Sequence, residues 1–320
     1  MTASIFDRIR TSCAAVADSS THVRVDESAI APFATRLDLD LPPNDPGQQP
    51  IGNAESTAAF VLTLDAINFG SGYFPYLRKR PGHSGYHTVA ASLRDWVDAN
   101  GAITTDALFS NTVDEWAVVF GQELDGSPAH ELMELFTLAL ADLAEFVDQR
   151  ANGAFVGVIE AADGSAATLA ESLTAMRFYR DVHDHPIAGP VSLYKRAQIT
   201  VQDLAVAFGR TQLGRFDDLD QLTMFADNLV PHVLRLNDVL VFSDELLTRI
   251  EAVEDIPVGS SAELEIRACG VHAVELLAAE VRKTRRPDLT SGSLDNVLWN
   301  LGADALYKAV PRHRSKCVFY

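Results

Sequence analysis

Residues 192–230, SLYKRAQITVQDLAVAFGRTQLGRFDDLDQLTMFADNLV, decide how this chain is read. Apolar residues recur at helical spacing on both sides of a short turn that runs from Gly209 to Gly214. The pattern predicts a helix over about 192–209 and a second over about 218–230, joined as an αα-hairpin.

Working outward, the same periodicity predicts more helix. The clearest stretch carries Leu132, Leu135, Phe136, Ala139, Leu140, Leu143, Phe146 and Val147 on one face, with Ser127 as cap and Pro128 in the first turn. Further helices are expected at 1–20, 56–69, 168–181, 243–254, 261–284 and 294–308, with Ser243, Ser261 and Ser293 as caps. Residues 31–55, rich in Pro, Asp, Gly and Gln, read as a loop. Residues 154–160 (AFVGVIE) are short and β-branched, and read as a strand of a small hairpin. The expected fold class is mainly α with a minor β element. The 192–230 hairpin also fits the helix-hairpin-helix frame of base-excision glycosylases. The organisation expected is a single domain over 1–320, or two interlocked helical lobes with the active site between them.

Composition narrows the function. The chain has 320 residues and a formal net charge of −18. An acidic surface repels a phosphate backbone, so no nucleic-acid partner is expected, although a small anion can still find a local basic pocket. Cys13, Cys269 and Cys317 are few, odd in number and far apart, with no C-x-x-C, which points to a reducing cytosol rather than to a disulfide framework. The N-terminal residues do not read as a signal peptide. No apolar run approaches the ~18 residues of a membrane span. His183 and His185 lack a third ligand at metal spacing, so neither metal nor cofactor is expected.

Several residues suggest chemistry. Asp227 lies among Phe225, Ala226, Leu229 and Val230, where a carboxylate is costly unless paired, and buried carboxylates often do catalytic work. The alternative is a helix-capping or solvent-facing aspartate. Lys195 and Arg196 open a helix, a natural place for an anion, or else are two solvated charges. The end of the chain, PRHRSKCVFY (311–320), gathers Arg312, His313, Arg314 and Lys316. It can hold a phosphate or dock the tail by salt bridges, and Val318, Phe319 and Tyr320 should pack. The segment 68–87, NFGSGYFPYLRKRPGHSGYH, interleaves aromatics with glycines and can stack a planar base.

Six collinear segments together resemble the queuosine 5′-phosphate N-glycosylase/hydrolase family: LDAINFGSGYFP (64–75), SGYHTVAASL (84–93), YKRAQITVQDL (194–204), LTMFADNLVPHVL (222–234), LEIRACGVHAVELL (264–277) and PRHRSKCVFY (311–320). The resemblance implies a helical fold related to helix-hairpin-helix DNA glycosylases. It implies hydrolysis of queuosine 5′-monophosphate to queuine and ribose 5-phosphate. Asp227 in F-A-D matches the family's catalytic aspartate, and Lys195 in K-R-A-Q the lysine facing it. Asn68, Phe69, Tyr86, Arg196, Gln198, Asn228, Glu265, Arg267, His313 and Tyr320 are the substrate-binding candidates. Among them, the Asn68 loop or Arg267 is expected to donate to the leaving base, and Glu265 to pair with the cationic side chain of queuine.

Overall fold

Ser127 and Pro128 do open a helix, and it is a long one. Ser127 accepts from the His130 amide, and the helix runs Pro128–Ala151 until Asn152 enters the left-handed region. The structure, a computed structural model, describes residues 3–40, 49–210 and 212–320. Its helices are α1 (Ile5–Ser19), α2 (Glu27–Arg36), α3 (Ala54–Ala66), α4 (Gly85–Asn100), α5 (Thr105–Ser110), α6 (Val113–Phe120) and α7 (Pro128–Ala151). Then come α8 (Phe155–Glu160), α9 (Ala166–Leu173), α10 (Lys195–Ala207) and α11 (Val230–Leu236). The last are α12 (Asp244–Glu251), α13 (Ser261–Thr284), α14 (Ser291–Leu301) and α15 (Ala305–Lys308). Four short strands pair in twos. β1 (Val23–Val25) is antiparallel to β4 (Leu240–Phe242), and β2 (Val182–His185) is antiparallel to β3 (Gly189–Ser192). The chain is therefore mainly α. No described helix is long and apolar enough to cross a membrane.

The chain divides into two compact units. Unit 1 comprises Met1–Pro43, Asp181–Gln198 and Asp218–Lys316. Its axis is α13, buried along most of its length, with α1, α2, α11 and α14 packed on it. Unit 2 comprises Asn44–Arg180, Ile199–Asp217 and Cys317–Tyr320. Here α7 takes α3, α5, α6 and α8. Phe69 and Phe120 both meet Phe136 of α7 edge to face.

Several local expectations change. Residues 154–160 are not a strand but α8, which has no side-chain cap of its own. Glu55, from the first turn of α3, accepts from the Phe155 and Val156 amides at 2.6 and 2.9 Å, and so caps α8 from 100 residues away. The loop expected at 31–55 is helical as far as Arg36 and again from Ala54; residues 41–48 lie outside the described residues. The helix expected at 168–181 ends at Leu173. Ser260, not Ser261, caps α13. Thr290 caps α14, with Ser293 as the residue whose amide it receives, and the 294–308 helix breaks after Leu301. The largest difference falls on 218–230, which is not a helix. A single 3-10 turn at Leu219–Gln221 leads into an irregular, non-helical run, and α11 starts only at Val230.

Candidate active site in unit 1

The site is built on that irregular segment. Thr223, Met224, Phe225 and Ala226 are all buried, so their backbone groups need partners. Side chains from three helices supply them. Gln198 Oε1, on α10, accepts from Thr223 N–H at 2.9 Å and from its hydroxyl at 3.1 Å. Asp295 Oδ1, on α14, accepts from Phe225 N–H at 2.9 Å. Arg267 Nε–H, on α13, donates to the Ala226 carbonyl at 2.9 Å.

This fixed segment delivers Asp227, which is half-buried. Oδ1 accepts from the Leu229 and Val230 amides at 2.8 and 3.2 Å, capping the start of α11. Among the described residues Oδ2 accepts no hydrogen bond. One oxygen thus orients the carboxylate and the other stays available. The capping and catalytic readings of Asp227 are compatible, because different oxygens serve them.

Asp295 stands close enough to feel both Asp227 and Lys195. Its burial and then the Asp227 charge push its carboxyl well above the usual range, against weaker opposition from the Phe225 N–H bond and Lys195. Asp295 is therefore held toward its neutral form, beside an aspartate with a free oxygen. Sequence reading missed it, though the signal was present: an Asp among Leu294, Val297 and Leu298 on a helix, the argument already applied to Asp227.

Lys195 is the first residue of α10 and is buried, as is Arg196 after it. Tyr194, just before them, holds φ +46°, an uncommon conformation for an aromatic residue, where the chain turns from β3 into α10. Arg312 was part of the predicted basic patch. Its side chain is reached by solvent, yet enough protein surrounds it that burial lowers its pKa, with the Asp227 charge pulling the other way. The rest of the patch mostly docks the tail. Arg314 and Lys316 pair with Asp255 at 2.7 and 3.5 Å. Burial, then the charges of Arg267 and Arg312, hold His313 at a pKa of about 3, so it is a neutral imidazole and not a cation for phosphate.

Three further candidates are engaged with the chain itself. Glu265 accepts from the amides of Thr21, His22 and Val23 and faces His185 Nε2 at 3.4 Å, so it is not free to pair with a cationic substrate group. Gln198 is the Thr223 tie described above. Arg267, fully buried, is bonded to Ala226, Asp181 and Glu263 and does not reach toward a leaving base as a free donor. Asn228 is buried with Nδ2 donating to the His313 carbonyl at 3.4 Å.

Asn68, Phe69, Tyr86 and Tyr320 belong to unit 2. Phe69, expected to stack on a base, is 1% exposed and packs edge-on to Phe136 and Phe178. Asn68 Nδ2 donates to Asp65 at 3.5 Å. Tyr86 is half-buried beside the His87 ring. The Tyr320 carbonyl accepts from the Gly70 and Ser71 amides at 2.8 and 3.3 Å, so the apolar end of the chain packs. Among the described residues no group of three or more His, Cys, Asp or Glu side chains could hold a metal ion.

Comparison with known proteins gives one consistent answer. The family model described as "Queuosine salvage protein" matches residues 48–320. A protein of Sphaerobacter thermophilus named queuosine 5′-phosphate N-glycosylase/hydrolase is 35% identical over 272 residues, 83% of this chain and 82% of that one. A protein of the same name from Dictyostelium discoideum is 35% identical over 272 residues, covering 83% of this chain and 79% of its own. One from Bos taurus is 28% identical over 289 residues, 85% and 84% of the two chains.

Proposed function

The chain belongs to the queuosine salvage protein family, and on that premise we propose that it hydrolyses the N-glycosidic bond of queuosine 5′-phosphate and releases queuine. The observation that carries the mechanism is the divided carboxylate of Asp227, pinned through Oδ1 and open at Oδ2. Cleavage of the bond sends its electron pair to the base and leaves positive charge at the anomeric carbon. Asp227 Oδ2 stabilises that charge or captures it covalently, and water completes the hydrolysis.

The leaving base needs help of its own. It is a 7-deazapurine, with carbon where guanine has N7, so protonation at N7 is closed to it. Asp295, its carboxyl pushed up by burial and by the Asp227 charge, is the nearby acid able to donate to another ring atom. The Lys195 charge acts on Asp295 and opposes the rise in its pKa. Arg312, accessible and near Asp227, suits the 5′-phosphate. Arg196 and Asn228 complete the polar surroundings. The expected kinship with helix-hairpin-helix glycosylases is part of this proposal and rests on the helical architecture alone, since 192–230 is a helix followed by an irregular run.

The test is chromatography of queuosine 5′-monophosphate incubated with wild type and, in parallel, with Asp227→Asn. Queuine from the wild type, with the variant slower by at least ~10²-fold, is the expected result. Release by both removes Asp227 from its role. Release by neither, from folded protein, sinks the reaction for this substrate.

A further inference from the structure

Arg267 carries a denser set of bonds than a structural ion pair requires. It is completely buried on α13. One edge of its guanidinium meets main chain, with Nε–H donating to the Ala226 carbonyl at 2.9 Å. The fork grips Asp181, Nη1–H to Oδ1 at 3.2 Å and Nη2–H to Oδ2, while Nη1–H also reaches Glu263 Oε1 at 3.2 Å. Both acids are anchored in turn. Asp181 Oδ1 lies 3.0 Å from His183 Nε2, and Glu263 Oε2 accepts from the Gly259 amide at 3.0 Å. A planar group held on several sides can neither rotate nor slide, and so neither can the peptide it holds.

That peptide is the one that leads into Asp227. Asp181 also works at a second point: its backbone carbonyl accepts from the Leu193 amide at 3.0 Å, two residues before Lys195. A single acid therefore ties down the approach to Asp227 through Arg267 and the approach to Lys195 through its main chain.

We infer that Arg267, oriented by Asp181, is a positioning residue: it fixes the Ala226–Asp227 peptide so that Asp227 Oδ2 stands where charge develops. This rests on the reading of Asp227 proposed above.

The test uses the full chain as wild type, Asp227→Asn, Arg267→Lys and Asp181→Asn. Steady-state kinetics on queuosine 5′-monophosphate are read beside calorimetric binding of queuine and thermal unfolding. Lysine keeps the charge but cannot hold Ala226 and chelate Asp181 together. Arg267→Lys is expected to fold, to hold KM and queuine affinity within about threefold, and to lose ~10²-fold in kcat, the scale of a small misplacement at a reacting centre. Unchanged kcat in the folded variant overturns the inference. So does a fall in kcat matched by queuine affinity and folded fraction, which marks a merely structural role. Should Arg267→Lys not fold, Asp181→Asn decides, because it retains one acceptor for the fork: lost kcat at constant KM supports positioning, and no such split overturns it. An inactive wild type, or an active Asp227→Asn, brings down the proposed reaction or its carboxylate, and this inference with it. Failure of positioning alone looks different: active wild type, inactive Asp227→Asn, and Arg267 and Asp181 variants at full rate.

Discussion

Two aspartates of the site sit in different surroundings. Asp227 is half-buried and its Oδ1 accepts from two backbone amides. Asp295 is buried, and the charge of its neighbour makes a second ionisation costly. The sign of the pH effect follows. Asp295 keeps its proton to higher pH than an ordinary carboxyl; as pH rises through its raised pKa the proton donor is lost and a second negative charge appears beside Asp227. The rate should therefore fall on the alkaline side. Asp295→Asn keeps an acceptor for Phe225 N–H and stays neutral, but has no acidic proton. It should lose ~10²–10⁴-fold in kcat, and its alkaline limb should be gone. Profiles of kcat against pH for both proteins check this, and a variant with wild-type kcat would remove Asp295 as acid.

At the scale of elements, two segments are shaped by partners they do not contain. α8 has a β-branched sequence and no side-chain cap, yet it is helical because Glu55 accepts its first two amides. Glu55→Ala leaves those half-buried donors without their acceptor and should destabilise the protein by about 1–2 kcal/mol, with Glu55→Gln recovering part of the loss. Thermal unfolding of the three proteins measures this; equal midpoints would show that solvent replaces the cap. Residues 222–226 are the converse case. They are apolar enough for a helix, but their polar groups are claimed by Gln198, Asp295 and Arg267. A non-helical backbone leaves those groups to side chains, whereas a helix would have bonded them internally.

At the scale of the molecule, buried histidines set the response to acid. His313 is held neutral with a pKa of about 3 by burial and then by the charges of Arg267, Arg312, His232 and Arg235. His232, its Nε2 donating to the Tyr307 carbonyl at 2.9 Å, is lowered to about 4, chiefly by burial. Both folded values lie below the ordinary histidine value of 6.5. Their contribution to stability is therefore complete above that pH and is lost as pH falls toward 4 and then 3. Between these limits the unfolded chain binds up to two protons that the folded chain refuses, a slope approaching about 2.7 kcal/mol per pH unit. The melting temperature should start to drop below about pH 6.5, before most carboxylates titrate, and His232→Gln combined with His313→Gln should flatten that drop. Melting curves from pH 7.5 to 4.5 decide it, and an unchanged slope in the double variant removes these histidines as the cause.

The sequence by itself determined the mainly helical class, the long helices with their serine caps, and the ordered motifs that place the chain in its family. These are local signals: apolar spacing, a capping residue, a short pattern around Lys195 or Asp227. It also nominated Asp227 as a carboxylate in apolar company, though on a helix that does not form. Only the tertiary structure decided that 154–160 is helix, that 218–229 is irregular apart from one 3-10 turn, that the Asp295 carboxyl is pushed up by burial and by Asp227, and that Arg267 and Glu265 face the protein's own backbone. The physical reason is common to all four. Each outcome depends on where a backbone amide, a carbonyl or a charge finds its partner, and those partners lie 25 to 244 residues away along the chain. Periodicity reports which face of a segment is buried, but not which distant side chain will meet it there.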